Sequence, residues 1–251
     1  MDSHSYATLA SEVAAEINKL RSDPRSYIPL IRSARGFFRD KEYCNPSNDF
    51  YVLTSEGIAA LDEAIRFLDT AAPVAPLQRL DQLDHACAKL AKHLEEEGAV
   101  AHGVDEFALE KRLVDTMGEM GMMAENLSFG WKDPKEVVMQ MVIDDGIKTR
   151  GHRSSLFSTE FSHFGVASGP HKLYHHMTVV NFYGVASTDE SAFSGYQIER
   201  SEWPEGAKNV VKNVEVLTQD DTRTVRIRFE FLMPDGKKVL KTKDYSEPID
   251  V

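Results

Sequence analysis

Paired cysteines, long apolar runs, an excess of basic charge and the common catalytic signatures are all missing from this chain, and each absence narrows what it can be. Only two cysteines occur among its 251 residues. Cys44 stands in a loop-like stretch and Cys87 inside a helical pattern, a spacing that offers neither a disulfide framework nor a metal knuckle. Two reduced thiols are expected, with Cys87 buried as a small apolar side chain. No run approaches the roughly 18 consecutive apolar residues of a membrane-spanning helix. The start, Met1-Asp2-Ser3-His4-Ser5-Tyr6, lacks the basic opening and apolar core of a signal peptide. An intracellular, cytoplasmic protein without a transmembrane segment is therefore expected. Basic residues number 29 against 40 acidic ones, a net charge of −11, which argues against non-specific binding to nucleic acid or to anionic lipid surfaces. There is no G-x-S-x-G elbow, no H-E-x-x-H and no phosphate-binding glycine loop, and Ser154 and Ser155 beside His152 do not make a triad by spacing. Internal repeats and low-complexity segments are absent too.

What is present is ordinary for a globular protein: 42% apolar and 27% charged residues, enough chain for one large domain or for one domain with a small appendage. The charge is uneven. From Glu205 onward there are nine Lys/Arg and nine Asp/Glu, so the negative excess lies in the first 204 residues. Within the tail the basic residues cluster, as Arg223, Arg226 and Arg228 and then Lys237, Lys238, Lys241 and Lys243.

Helical periodicity dominates the first two thirds. Leu9, Val13, Ile17 and Leu20 recur every three or four positions, predicting a helix over 8–21 that Ser22-Asp23-Pro24 interrupts. A short helical piece follows over 25–33, then a loop over 36–55 and a helix to about Thr70. Leu83, Cys87, Leu90, Ala91 and Leu94 give 81–97 an apolar face, with Gly98 as its C-cap. Further helices are predicted over 107–117 and from Asp133-Pro134 to near Gly146, the aspartate capping and the proline filling the first turn. Alternation then takes over. Residues 162–168 and 174–185 read as strands, and 211–218, 222–232 and 237–245 as a three-stranded antiparallel meander with turns at Gln219-Asp220-Asp221 and Pro234-Asp235-Gly236. The expected organisation is a main domain over 1–190, a linker over 191–204 and a β appendage over 205–251.

Chemistry concentrates in one region. Glu125, in Ala124-Glu125-Asn126-Leu127, follows a Gly/Met-rich run whose Met117, Met120, Met122 and Met123 read as core filler. His102 lies upstream beside a glycine on a predicted loop. His152, His171, His175 and His176 lie downstream. Glu125 either faces a ligand or braces the loop into the next helix through backbone hydrogen bonds. His152, in Gly-His-Arg, reads as architectural, tying its loop to the preceding helix. His175 and His176 are adjacent on a strand and point to opposite faces, so one of them at most enters a cleft.

Three boxes in order, Ala124-Glu125-Asn126-Leu127, Gly151-His152-Arg153-Ser154-Ser155-Leu156 and His176-Met177-Thr178-Val179-Val180, resemble the G-E-N-[LI], G-H-R-x-x-[LI] and H-[FY]-T-x-V boxes of the CAP superfamily. That superfamily, also called SCP or TAPS, comprises the cysteine-rich secretory, antigen-five and pathogenesis-related proteins. The resemblance covers roughly residues 10–185. It implies an α+β fold, a three-layer α-β-α sandwich with a cleft across the sheet, here followed by the small antiparallel meander. It also implies a cleft tetrad of two histidines and two acidic residues able to hold a divalent metal, often zinc, and maps to His102, Glu125, Asp145 and His176, with His102 and His176 as the metal ligands. The sequence departs from the family pattern at Ala124, which replaces a glycine, at Met177, which replaces an aromatic residue, and around Asp144 and Asp145, which lack the family's W-Y-x-E context.

Two function classes follow. One is a non-catalytic binding or scaffold protein whose β appendage, with its basic cluster, contacts an acidic protein partner, as in a cytoskeletal or other large assembly; sterol or fatty-acid binding, known in the family, is a variant of it. The other is a zinc-dependent hydrolase in which His102 and His176 hold the metal and Glu125 is the general base.

Overall fold

The N-terminal apolar periodicity forms α1 (Ser3–Ser22), which buries Leu9, Val13, Ile17 and Leu20 along one side. Asp23-Pro24 ends it, and a single 3-10 turn leads into α2 (Ile28–Ala34). The computed structural model describes residues 3–44, 51–118, 121–185, 204–205, 209–219, 222–234 and 237–248. It divides into two compact units, Met1–Ala186 and Ser187–Val251.

In the first unit, α2 is followed by three two-residue strands, β1 (Phe38–Arg39), β2 (Glu42–Tyr43) and β3 (Val52–Leu53), which form a small antiparallel sheet. Next come α3 (Ile58–Thr70), β4 (Gln78–Arg79), α4 (Asp81–Glu97), α5 (Leu109–Met117), β5 (Gly121–Phe129), α6 (Pro134–Ile143), α7 (Gly151–Phe157), β6 (His163–His171) and β7 (His175–Val185). The central sheet runs β4-β6-β7-β5, with β4 parallel to β6 and the other pairs antiparallel.

Strand alternation builds the layers. Phe164 and Val166 of β6 and Val180 and Phe182 of β7 join the core made with α1, α2, α3 and α6. Met177 and Val179 of β7 and Leu127 of β5 face the other way, against Cys87, Leu90, Ala91 and Leu94 of α4. The first unit is thus an α+β sandwich with helices on both faces of its sheet. Among the described residues, no helix is long and apolar enough to cross a membrane.

The second unit contains the expected antiparallel meander, β8 (Asn209–Gln219), β9 (Thr222–Leu232) and β10 (Lys238–Pro248), in the order β10-β9-β8. Its register sets Arg226 opposite Glu215 and Asp244. The expected linker over 191–204 lies outside the described residues except for Pro204.

Local chemistry explains where the helices begin and end. The Asp133 carboxylate accepts from Lys135 N (2.8 Å) and Glu136 N (3.2 Å), with Pro134 in the first turn of α6. Gly98 closes α4 at φ 70°, a left-handed conformation that glycine adopts without a Cβ clash. Two expectations are corrected. The segment over 36–55 holds β1 to β3 rather than loop alone. α6 stops at Ile143, short of Gly146, because Asp144 takes up a left-handed conformation at φ 54° and closes the helix through its N–H to Gln140 O.

Gly165 on β6 lies directly under α4. A Cβ there would stand 2.2 Å from the Leu83 carbonyl carbon and 2.4 Å from Asp84 N, both backbone atoms that cannot turn aside. Gly165→Ala is expected to lower stability by about 3 kcal/mol, at the upper end of overpacking costs, because helix and sheet must separate. A urea unfolding curve matching that of the parent chain would contradict this packing.

Candidate functional site

β5 is the last strand of the sheet, and its two faces carry different chemistry. Asn126 and Ser128 turn toward α6 and α7, where Asn126 Nδ2 donates to His152 O (3.0 Å) and Ser128 Oγ to Gln140 Oε1 (2.6 Å). Glu125 turns to the opposite face and ion-pairs with Arg112 of α5, the two side chains 1% and 0% exposed. Arg112 also donates to Phe107 O (2.7 Å) and Ala86 O (3.0 Å). With its amide turned to suit both neighbours, Asn181 donates to Glu125 Oε2 (2.8 Å) and accepts from Arg112 Nη1 (3.0 Å). The second oxygen of Glu125 meets His102 Nδ1 at 2.8 Å. Glu125 therefore braces the structure, and it meets the cleft only through His102, which lines it.

A second carboxylate-imidazole pair stands at the junction of α6 and α7. His152 Nδ1 lies 2.7 Å from Asp144 Oδ1, while Asp144 Oδ2 accepts from His152 N (2.8 Å) and Arg153 N (3.3 Å). Arg153 donates to Val142 O (2.6 Å), Ile143 O (3.0 Å) and Glu63 Oε1 (2.8 Å), and lies over the Phe67 ring. Arg150 clamps Glu56 and Glu63, and this guanidinium, with the Gly146 N–H, holds the Glu56 carboxyl down at about 2. His152 is architectural, as its sequence context predicts, and it also lines the cleft.

The cleft runs along the outer side of β5 and encloses about 800 Å³, within the range of ligand pockets. Phe38, Tyr43 and Val52 form one wall with Trp131, Met139 and Ile143, and Leu127 and Phe129 line the strand itself. His102, Gln140, Asp144, Asp145 and His152 supply its polar part.

The expected tetrad is brought together only in part. His102 and Asp145 line the cleft, and Glu125 backs His102. The Asp145 carboxylate is taken up by Ser55 N (2.6 Å) and Glu56 N (2.8 Å), and Asp144 is the acid that holds a histidine. His176 does not line the cleft. Its position on β7 shares the parity of Val180 and Phe182, so it turns toward α1, where its Nδ1 lies 3.0 Å from the Tyr6 hydroxyl. His175, left-handed at φ 63°, lines the cleft instead. His171 is buried: its Nε2 lies 3.0 Å from Ala99 O, and its Nδ1 accepts from Leu173 N (3.3 Å) and Tyr174 N (3.2 Å).

These donors do not fit a zinc ion. Among the described residues, no group of three or more His, Cys, Asp or Glu side chains is placed to hold one. One oxygen of Glu125 meets the Arg112 guanidinium and the other meets His102, so this carboxylate has no free face to offer a cation.

No protein-family model matches the chain, and no curated protein matches it. Among solved structures, an outer surface protein of Borrelia burgdorferi is similar at a TM-score of 0.38 and 18% identity, over 51% of this chain and 90% of that one. An extracellular protein containing an SCP domain, from Bacillus anthracis str. Ames, is similar at a TM-score of 0.37 and 18% identity, over 48% of this chain and 37% of that one.

Two of these histidines are shifted in opposite directions. The hydrogen bond to Glu125 raises His102, whereas burial, followed by the nearby charge of Lys132, lowers His176. Protonated His102 is favoured in the fold, so its stabilising contribution is complete below the ordinary histidine value of about 6.5 and is lost as pH rises through the raised value. In an NMR pH titration the His102 ring should show a midpoint above that ordinary value and His176 one below it; the reverse order would contradict the geometry. For the buried pair, Arg112→Leu alone should cost about 3–5 kcal/mol, because it strands the Glu125 charge. Adding Glu125→Gln should recover part of that loss, and a double variant less stable than the single one would show that the ion pair is not the governing interaction.

Proposed function

We propose that this chain is a non-catalytic binding protein whose cleft beside β5 takes an elongated, largely apolar ligand. One observation carries the reading. Of the eight large apolar residues exposed on the described surface, six line this one cleft: Tyr51, Leu53, Val100, Ile147, Leu173 and Tyr174. Scattered exposed apolar residues need no explanation, but their collection around a single concavity is what a binding site presents. Catalysis is disfavoured by the same geometry, because Glu125 is held by a guanidinium and makes a poor general base. His102 and His152 are each fixed through Nδ1, which suits them to orient a polar group of the ligand through Nε2.

Fatty-acid binding is a second reading, favoured by His102: the Glu125 carboxylate behind the ring favours its protonated form, and the ring lines an otherwise largely apolar cleft where a carboxylate would find a donor. A protein partner for the basic C-terminal strands belongs to the same proposal as a separate contact.

Anilinonaphthalene sulfonate, an apolar probe with one anionic group, should bind the full chain at one equivalent with enhanced fluorescence. Leu53→Glu and Leu173→Glu, both at exposed rim positions, should weaken it about tenfold, the effect of ~1.4 kcal/mol. Leu240→Glu, at an exposed apolar position in the other unit, should leave it unchanged. Binding indifferent to both rim substitutions would sink the proposal.

A further inference from the structure

The free edge of β5 has its own hydrogen-bonding requirement. In an antiparallel sheet, residues alternate between those that bond the neighbouring strand and those whose N–H and C=O point away from it. Here the phase can be read at two places. Gln78 N and Leu80 N of β4 donate to Ser162 O (2.9 Å) and Phe164 O (3.0 Å), so even-numbered residues at the start of β6 face β4 and odd-numbered ones face β7. Through the register of β6 on β7, the even-numbered residues of β7 then face β5. Gly130 N–H donating to His176 O (2.7 Å) agrees, because it continues the pairing of Phe129 with Met177. Ala124, Asn126 and Ser128 therefore bond β7, and Glu125, Leu127 and Phe129 present their backbone groups outward. Among the described residues, no hydrogen bond engages those outward groups of Leu127 or Phe129. These two residues are also where the strand lines the cleft.

We propose that the cleft receives an extended peptide segment that adds to the sheet as a strand beside β5, pairing its backbone with Leu127 and Phe129 and lodging alternate side chains against the two apolar walls. This rests on the reading of the cleft as a binding site and names its occupant. Side chains of an added strand point to both faces of the sheet. Apolar lining stands on both sides: Tyr43 and Trp131 pack together in the core of the α6 side, Phe129 packs with His171 and Tyr174 on the α4 side, and Tyr51, Leu53, Val100 and Leu173 line the same cleft. A lipid tail would cover the outward N–H and C=O groups without bonding them, and an unbonded polar group in apolar surroundings is costly. An extended peptide supplies a donor and an acceptor at every second residue. A second folded copy would have to bring a strand between walls that rise on both sides of the edge, whereas a single unfolded segment enters directly.

The test uses the full chain and a fluorophore-labelled peptide, acetyl-Lys-Val-Thr-Val-Thr-Val-Lys-amide, against the same peptide N-methylated throughout, which stays apolar but has no N–H to give. Fluorescence anisotropy should show binding of the first and at least about tenfold weaker binding of the second, the effect expected from losing one or two net hydrogen bonds. Amide hydrogen exchange at Leu127 and Phe129 should slow when the first peptide is bound. Equal binding of the two peptides would overturn the proposal, as would unchanged exchange at both amides under saturation. If palmitate displaces anilinonaphthalene sulfonate and the peptide does not, the cleft binds lipid and the strand-addition proposal fails alone. If the sulfonate probe does not bind either, the reading of the cleft fails with it.

Discussion

The ion pair between Arg112 and Glu125 is the constraint on which the site depends. Taking both charges out of water costs several kcal/mol per ion, and only a full set of partners offsets it. The set here draws on Phe107 O, Ala86 O, Asn181 and His102, that is, on the turn before α5, the body of α4, the middle of β7 and the loop after α4. A shift in any one of these elements would leave a buried charge short of a bond. The pair therefore fixes the helical layer over that face of the sheet, and it holds His102 at the boundary between protein and cleft. The same saturation makes Glu125 a poor ligand and a poor base, so one set of contacts both orders the site and occupies its buried carboxylate.

On the other side of β5 a comparable logic works through different residues. Asp144 accepts from the ring and the backbone of His152 and from the Arg153 N–H, while Arg150 and Arg153 reach Glu56 and Glu63 and bind α3 to the α6–α7 junction. The two imidazoles are thus anchored from opposite faces of one edge strand. Between them the cleft is mostly aromatic and aliphatic.

The helices were legible because each had one buried stripe and a chemical stop: Gly98 after α4, and Asp133-Pro134 before α6. The C-terminal meander was legible from its alternation. β5 was not. Its polar residues Glu125, Asn126 and Ser128 are all buried and bond to partners outside the strand, Asn126 through its Nδ2 alone, so the strand shows no polar-apolar alternation. The parity of β7 was equally hidden. Val179 and Val180 are both apolar because the sheet is covered on both faces, and hydropathy then cannot say which histidine faces which layer. The resemblance that maps His176 to the cleft therefore meets no check from the hydropathy of the strand, and the Gly-His-Arg context of His152 shows only its architectural part. One sequence signal pointed the other way: Gly-His-Arg follows a pair of aspartates within a turn or two, a spacing at which Asp144 can reach the His152 ring.

Asp144 itself has an outcome for evolution of the fold. It is a non-glycine residue in the left-handed region, at φ 54°, a conformation that aspartate tolerates better than most residues but that glycine occupies freely. Glycine there would relax the turn, but it would also remove the carboxylate to which the His152 and Arg153 N–H groups and the His152 ring donate, a larger loss than the strain it relieves. The strain is kept by the bonds it allows, so among descendants of this chain asparagine, which also tolerates the left-handed region and keeps one side-chain oxygen, is the replacement expected before glycine.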